Sequence, residues 1–410
     1  MAPVKSSRRR SNGPLTYAAM AAAVALGASG CSLDLSDLTP GGGDEPSATE
    51  AAPVDAAPVF EGALEQLRSA PAVAVQGKVA AGEGKEGVND TALTVTSAGT
   101  TQGTYKEGEN EAEVLEVDGR LFVNAADEFW LDQTIANPDS SQYAGSWVRV
   151  APSMLGVDPG TVLAPDALAD ILEGLGTASA KAELEDLDGT PGYRVDLEGG
   201  EKNRVWISEE EPYRLLRMEV ENLAPEGEEN GARVQLNLTQ PEQADVDKVY
   251  DDAITATEEE LTSSRDARIA LQWDGQLQLD CQTGGKCTIS GTAKDVSEGE
   301  GEGKVIVRLD ATFNNDELGE KKCNASEVLE AGGSVGISCS TDYALEPSEQ
   351  PQEYEINASG LLSTRGLSKS AGKEITKGLK EAKEAGASGG EASPEDGEGA
   401  SEEPAEGGGN

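Results

Sequence analysis

The chain contains no histidine. That removes the commonest general base and the commonest metal ligand, so the usual triads, dyads and zinc sites are excluded. Bases are scarce as well: 32 Lys and Arg stand against 76 Asp and Glu, a formal charge of -44. Such a field repels nucleic acid and anionic surfaces, and we expect no nucleic-acid partner. Aromatics make up only 4% of the 410 residues. They concentrate between residues 105 and 213, so that is where a large apolar core or site belongs. No Gly-x-Ser-x-Gly elbow accompanies a nucleophile, and no Cys-x-x-Cys spacing points to a redox or metal thiol. The residues give no reason to expect an enzyme, a cofactor or a metal.

What is present begins at Leu26-Gly-Ala-Ser-Gly-Cys31. Lys5, Arg8, Arg9 and Arg10 precede an apolar run, Leu15 to Leu26, which is too short for a transmembrane helix of about 20 residues. Small residues then lead to Cys31. We read residues 1–30 as a lipoprotein signal peptide and Cys31 as the lipidated residue, although Ala28 stands where a lipobox usually has Leu. The expected location is extracytoplasmic, anchored by lipid to the outer face of the cell membrane. Residues 31–56 are rich in Gly, Pro and acids and read as a disordered linker.

The other four of the five cysteines are Cys281, Cys287, Cys323 and Cys339. An even number in an exported chain suggests disulfides, with three possible connectivities. Cys281 and Cys287 flank a Gly-Gly turn. Cys323 and Cys339 are equidistant from Ala331, before Gly332-Gly333. If that glycine pair turns a hairpin, the two cysteines face each other across it. The expected pairs are therefore 281–287 and 323–339.

Residues 57–255 read as one domain. Phe60, Ala63, Leu64 and Leu67 form a helical stripe. The period then changes to two, with strands around Ala72–Val79, Thr91–Thr96 and Glu111–Val117. Asp118-Gly119 is a hairpin signal before Arg120–Val123. Phe129, Trp130, Trp147 and Leu155 lead to a second stripe, Leu168, Ile171, Leu172 and Leu175, opened at Pro165-Asp166. Strands resume through Gly192–Leu197, Asn203–Ser208 with Trp206, and Ala232–Leu238. A sheet with one wet face must have its apolar face covered, and the two helices can cover it. That cover is either a closed core or a pocket. Trp130, Trp147 and Trp206 correspondingly either pack in the core or at its rim, or line a cavity. The carboxylates of this region read as a solvated face.

The order of these elements resembles the actinobacterial lipid-carrying lipoproteins of the LppX/LprAFG type, with their LolA-like half-barrel. The likeness rests on Val75-Gln-Gly77, Val117-Asp-Gly119 before Leu121-Phe-Val123, and Gly145-Ser-Trp147-Val-Arg-Val150. Gly156-Val-Asp-Pro159, Asp188-Gly-Thr190 and Arg204-Val-Trp-Ile207 add to it. It implies a curved antiparallel sheet closed by helices over an apolar cavity for acyl chains. Candidate cavity residues are Phe129, Trp130, Trp147, Leu155, Leu168, Ile171, Leu172, Leu175 and Trp206.

Residues 256–266 read as a polar linker. Short alternating strands over 267–364 suggest an immunoglobulin-like β-sandwich of about seven strands, similar to FxLYD-type extracellular modules. That likeness implies adhesion, spacing or contact with a partner, such as an envelope protein, and not chemistry. Residues 365–410 read as a short, frayed helix with a thin apolar stripe and a disordered acidic tail. The fold class expected is mainly β (α+β): a half-barrel sheet covered by helices, then a disulfide-stapled sandwich. The expected function is binding or carrying an apolar, acyl-bearing ligand in a half-barrel cavity. The alternative is a structural or protein-interaction lipoprotein. A void of about 300 Å³ or more would favour the carrier.

Overall fold

A computed structural model describes residues 53–80, 88–133, 142–225, 227–228, 231–297, 303–346, 350 and 352–389. The leader, Cys31, most of the 31–56 linker and the tail from residue 390 lie outside the described residues.

The first half of the chain forms a sheet of thirteen strands. It opens with β1 (Val54–Asp55), helix α1 (Ala56–Ser69) and β2 (Ala72–Ala80), followed by β3 (Asn89–Thr96), β4 (Thr101–Glu107), β5 (Asn110–Val117) and β6 (Arg120–Ala125). Helix α2 (Asp127–Asp132), β7 (Trp147–Arg149), α3 (Pro159–Val162) and α4 (Pro165–Leu175) interrupt the meander. Strands then return as β8 (Lys181–Leu187), β9 (Thr190–Asp196), β10 (Arg204–Ser208), β11 (Leu215–Leu223) and β12 (Ala232–Thr239). Helix α5 (Gln243–Glu259) leads to β13 (Arg265–Asp266). The strand order is β1-β8-β9-β10-β11-β12-β2-β3-β4-β5-β6-β7-β13, so the sheet is open, not a closed barrel. All pairs are antiparallel except β13 with β7.

Local chemistry explains these elements. Asp118-Gly119 and Asp188-Gly189 have positive φ at both residues, the two-residue turn that matches strand twist. Pro165 opens α4 at its first turn, and Gly176 ends it at φ 70°. Along β12, Ala232, Val234, Leu236 and Leu238 are buried while the residues between them are exposed. One face of the sheet thus packs a core against α1, α3 and α4. The other face is covered in part by α5.

The expected linker at 256–266 is built differently. Its first residues are the last turn of α5, Leu261–Ser263 is a 3-10 turn, and Arg265–Asp266 joins the sheet as β13. Ordered backbone is possible there because Ala256, Leu261 and Asp266 are all buried.

The sandwich region holds seven strands: β14 (Leu271–Trp273), β15 (Gln278–Cys281), β16 (Lys286–Asp295), β17 (Lys304–Asn315), β18 (Gly319–Glu330), β19 (Ser334–Asp342) and β20 (Asn357–Arg365). Strands β14, β15 and β19 pair with β16, and β18 and β20 flank β17. Phe313, Leu309, Val307, Ile289 and Ile337 fill the space between the two sheets. Both expected disulfides form. Cys281 and Cys287 are directly opposed in register. The Gly332-Gly333 turn is not a hairpin, however. It carries the chain from β18 to β19 in the other sheet, so Cys323–Cys339 bridges the two sheets.

The final helix also departs from expectation. Helix α6 (Lys369–Gly389) is docked on α5, not frayed, with Leu367, Ile375 and Leu379 buried against Leu115, Val117, Phe122 and Tyr250. Each such burial is worth about 1.5–3 kcal/mol. Its exposed ion pairs, Lys380–Glu258 and Lys383–Asp251, are worth about 0.2–1 kcal/mol each. The apolar stripe therefore determines the docking. No helix among the described residues is long and apolar enough to cross a membrane.

Candidate functional site

The helix-covered face is the first place to look for a site. Phe129 and Trp130 come from the short α2, and Tyr143 from the segment before β7. Phe129 and Trp130 meet edge to face at 5.2 Å, and Trp130 lies 5.4 Å from Tyr143. Leu155, Leu168 and Leu172 are buried in the same core. Ile171 and Leu175 pack half-buried against it. Seven of the nine candidates are thus brought into one cluster, as packed core.

The other two are elsewhere. Trp147 packs half-buried into the cluster beneath α5 and α6, on the opposite face of the sheet. Trp206 alternates with the inward Val205 and Ile207 and so points outward too. Its indole Nε1 donates to Glu185 Oε2 at 2.9 Å. Arg204 and Arg217 lie over its ring at 5.2 and 5.9 Å. Arginine stems cover apolar surface as well as carrying charge, so a tryptophan can be buried on a wet face.

An apolar pocket of about 270 Å³ opens elsewhere beneath α1, against β2, β11 and β12. Leu67, Val73, Leu215, Leu216 and Leu238 line it, with the exposed Arg214 among its polar members. Arg214 has no ion-pair partner among the described residues. None of the nine candidates lines this pocket. The α1 stripe already pointed to Leu67. The strand residues gave no warning, because a residue lining a slot and a residue filling a core share the same alternation.

One carboxylate breaks the solvated pattern. Glu116 falls on the inward parity of β5 with Ala112 and Val114 and is 2% exposed. Burial, with the neighbouring Asp158 charge, pushes its carboxyl up to about 8, although the Gly160 N–H opposes this. The parity of β5 was the available signal. Tyr105 and Tyr143 hydroxyls are likewise pushed up, mainly by burial. Among the described residues no group of three or more Cys, Asp or Glu is placed to hold a metal ion.

No family model matches the chain, and no curated protein matches it. Among solved structures, the chain is similar to one described as the crystal structure of MucB in complex with MucA(peri), at 12% identity and TM-score 0.21, over 67% of this chain and 94% of that one. A second, described as the complex structure of Pseudomonas aeruginosa MucA/MucB, gives 13% identity and TM-score 0.21 over the same shares. Likenesses at this level carry no argument about what the chain binds.

Proposed function

We propose that this chain is an extracytoplasmic binding protein, anchored through Cys31, that takes one acyl chain or a comparable apolar group beneath α1. The observation that carries the reading is the leucine-lined pocket between α1, β11 and β12. At about 270 Å³ it lies just under the range of about 300–1,000 Å³ for drug-sized ligands. It suits a single chain better than a multi-chain lipid. Binding, not catalysis, is the proposed role.

The test uses the mature chain and a fluorescent fatty acid. Gln66 is an exposed residue of α1 at the pocket wall, so Gln66→Trp adds bulk at the opening without disturbing the core. We expect saturable binding that weakens roughly tenfold or more in this variant, at an unchanged melting temperature. If no acyl probe binds and native mass spectrometry finds only the bare chain, the carrier reading fails. The interaction reading would then stand. It is favoured by Val328 and Leu361, each 56% exposed on the outer face of the β18-β17-β20 sheet.

A further inference from the structure

The outer face of strands β10, β11, β12 and β2 carries a second opening, at the ends of β2, β11 and β12 away from the pocket beneath α1. This groove measures about 420 Å³. Lys78, Lys202, Arg204 and Arg233 line it, together with Glu219 and Glu221. Four cations around one groove are unexpected in a chain of net charge -44.

The groove is organised by its register. Arg204 stands opposite Glu219, Glu219 opposite Gln235, and Gln235 opposite Lys78. Glu219 Oε2 accepts from Arg204 Nε at 2.8 Å and Nη2 at 2.6 Å, while Gln235 Nε2 donates to Glu219 Oε1 at 2.9 Å. The same guanidinium stacks over Trp206. Arg204 is therefore held in place, and its Nη1 has no partner among the described residues. Glu219 is occupied by that bond. Lys78, Lys202 and Arg233 are exposed and form no ion pair among the described residues. Asp90 lies opposite Lys78 and Asp196 opposite Arg204, but neither carboxylate comes within ion-pair distance of its neighbour.

A fixed guanidinium with its Nη1 still free, beside the exposed cations Lys78, Lys202 and Arg233, is a phosphate-binding combination. We propose that this groove binds a phosphate-bearing ligand through Lys78, Lys202, Arg204 and Arg233. The overall negative field of the chain disfavours anions at long range. The local excess of cations, at contact distance and on a low-dielectric sheet, acts within the Debye length of about 10 Å at moderate salt. The site is independent of the acyl pocket, which lies at the opposite ends of β2, β11 and β12.

The experiment titrates the full mature chain with inorganic pyrophosphate at low salt, followed by calorimetry. Lys202→Glu with Arg233→Glu removes two exposed cations and leaves the Arg204–Glu219 pair intact. We expect saturable pyrophosphate binding, weakened roughly tenfold or more in this double variant, with no change in melting temperature. Lys286→Glu with Lys321→Glu makes the same charge change on the sandwich strands and should leave the affinity within about twofold. Absence of pyrophosphate binding, or equal weakening by both pairs, would overturn the proposal. A second arm uses vesicles of phosphatidylcholine alone or mixed with phosphatidylglycerol. Groove-dependent retention on the mixed vesicles assigns the phosphate to a lipid head group. Pyrophosphate binding without retention assigns it to a soluble ligand.

Discussion

Glu116 Oε2 accepts the Gly160 N–H at 2.7 Å inside the core, so a carboxyl group of β5 holds the first turn of α3. A Cβ on residue 160 would lie 2.6 Å from Glu116 Oε1 and from the Gly99 carbonyl. Only glycine allows this approach.

The burial of Glu116, which outweighs this contact, makes stability depend on pH. The Glu116 carboxyl moves from an ordinary 4.5 to about 8 in the folded chain, chiefly through burial. A raised folded value stabilises the fold below the unfolded value, and the contribution disappears as pH rises through the folded one. Urea unfolding should therefore show stability falling between about pH 4.5 and about pH 8. Glu116→Gln should flatten that slope. An unchanged slope would place the titrating proton on another group.

The two disulfides should not contribute equally. Cys323–Cys339 closes sixteen residues and ties two sheets; Cys281–Cys287 closes six within one antiparallel pair. Loop-closure entropy gives about 3 kcal/mol for the first and about 2 kcal/mol for the second. Paired Cys→Ser substitutions, compared by denaturant midpoints, should rank in that order. A larger loss at 281/287 would mean that strain or local packing outweighs chain entropy.

Asp266 is fully buried and meets Arg268 through both carboxylate oxygens, at 2.9 and 2.7 Å to Nε and Nη2. Removing only the cation leaves an unpaired charge in the interior. Arg268→Ala should cost about 3–5 kcal/mol. Adding Asp266→Asn should return part of that loss, and a double-mutant cycle by chemical unfolding measures it. A double variant weaker than Arg268→Ala alone would contradict this account.

Much of the fold was legible because it is local. The Asp-Gly turns, the alternation along β12 and the α4 stripe each depend on residues a few positions apart. Relationships over longer spans were not legible. The α6 stripe looked too thin to dock, because its partners Leu115, Val117 and Phe122 lie some 250 residues away on the far face of the sheet. Gly332-Gly333 looked like a hairpin because a sheet crossing leaves the same glycine signature. Trp206 looked like a cavity residue because hydrophobic character does not reveal which face arginines will cover. At the candidate site, sequence located the helices that cover the sheet but not the side of α1 where the covering is incomplete.

The pairing of β2 with β12 sets an order in time. Val75 meets Leu238 and Val79 meets Val234, partners more than 150 positions apart. The two halves of the large sheet cannot join until the twelfth strand has emerged. Contacts this distant slow folding, and meanwhile the edge of β2 is a row of unpaired backbone groups beside Val73, Val75 and Val79. The newly made chain has to keep that edge from other chains until residue 239 arrives. Its dense negative charge is suited to that interval, since emerging chains repel one another.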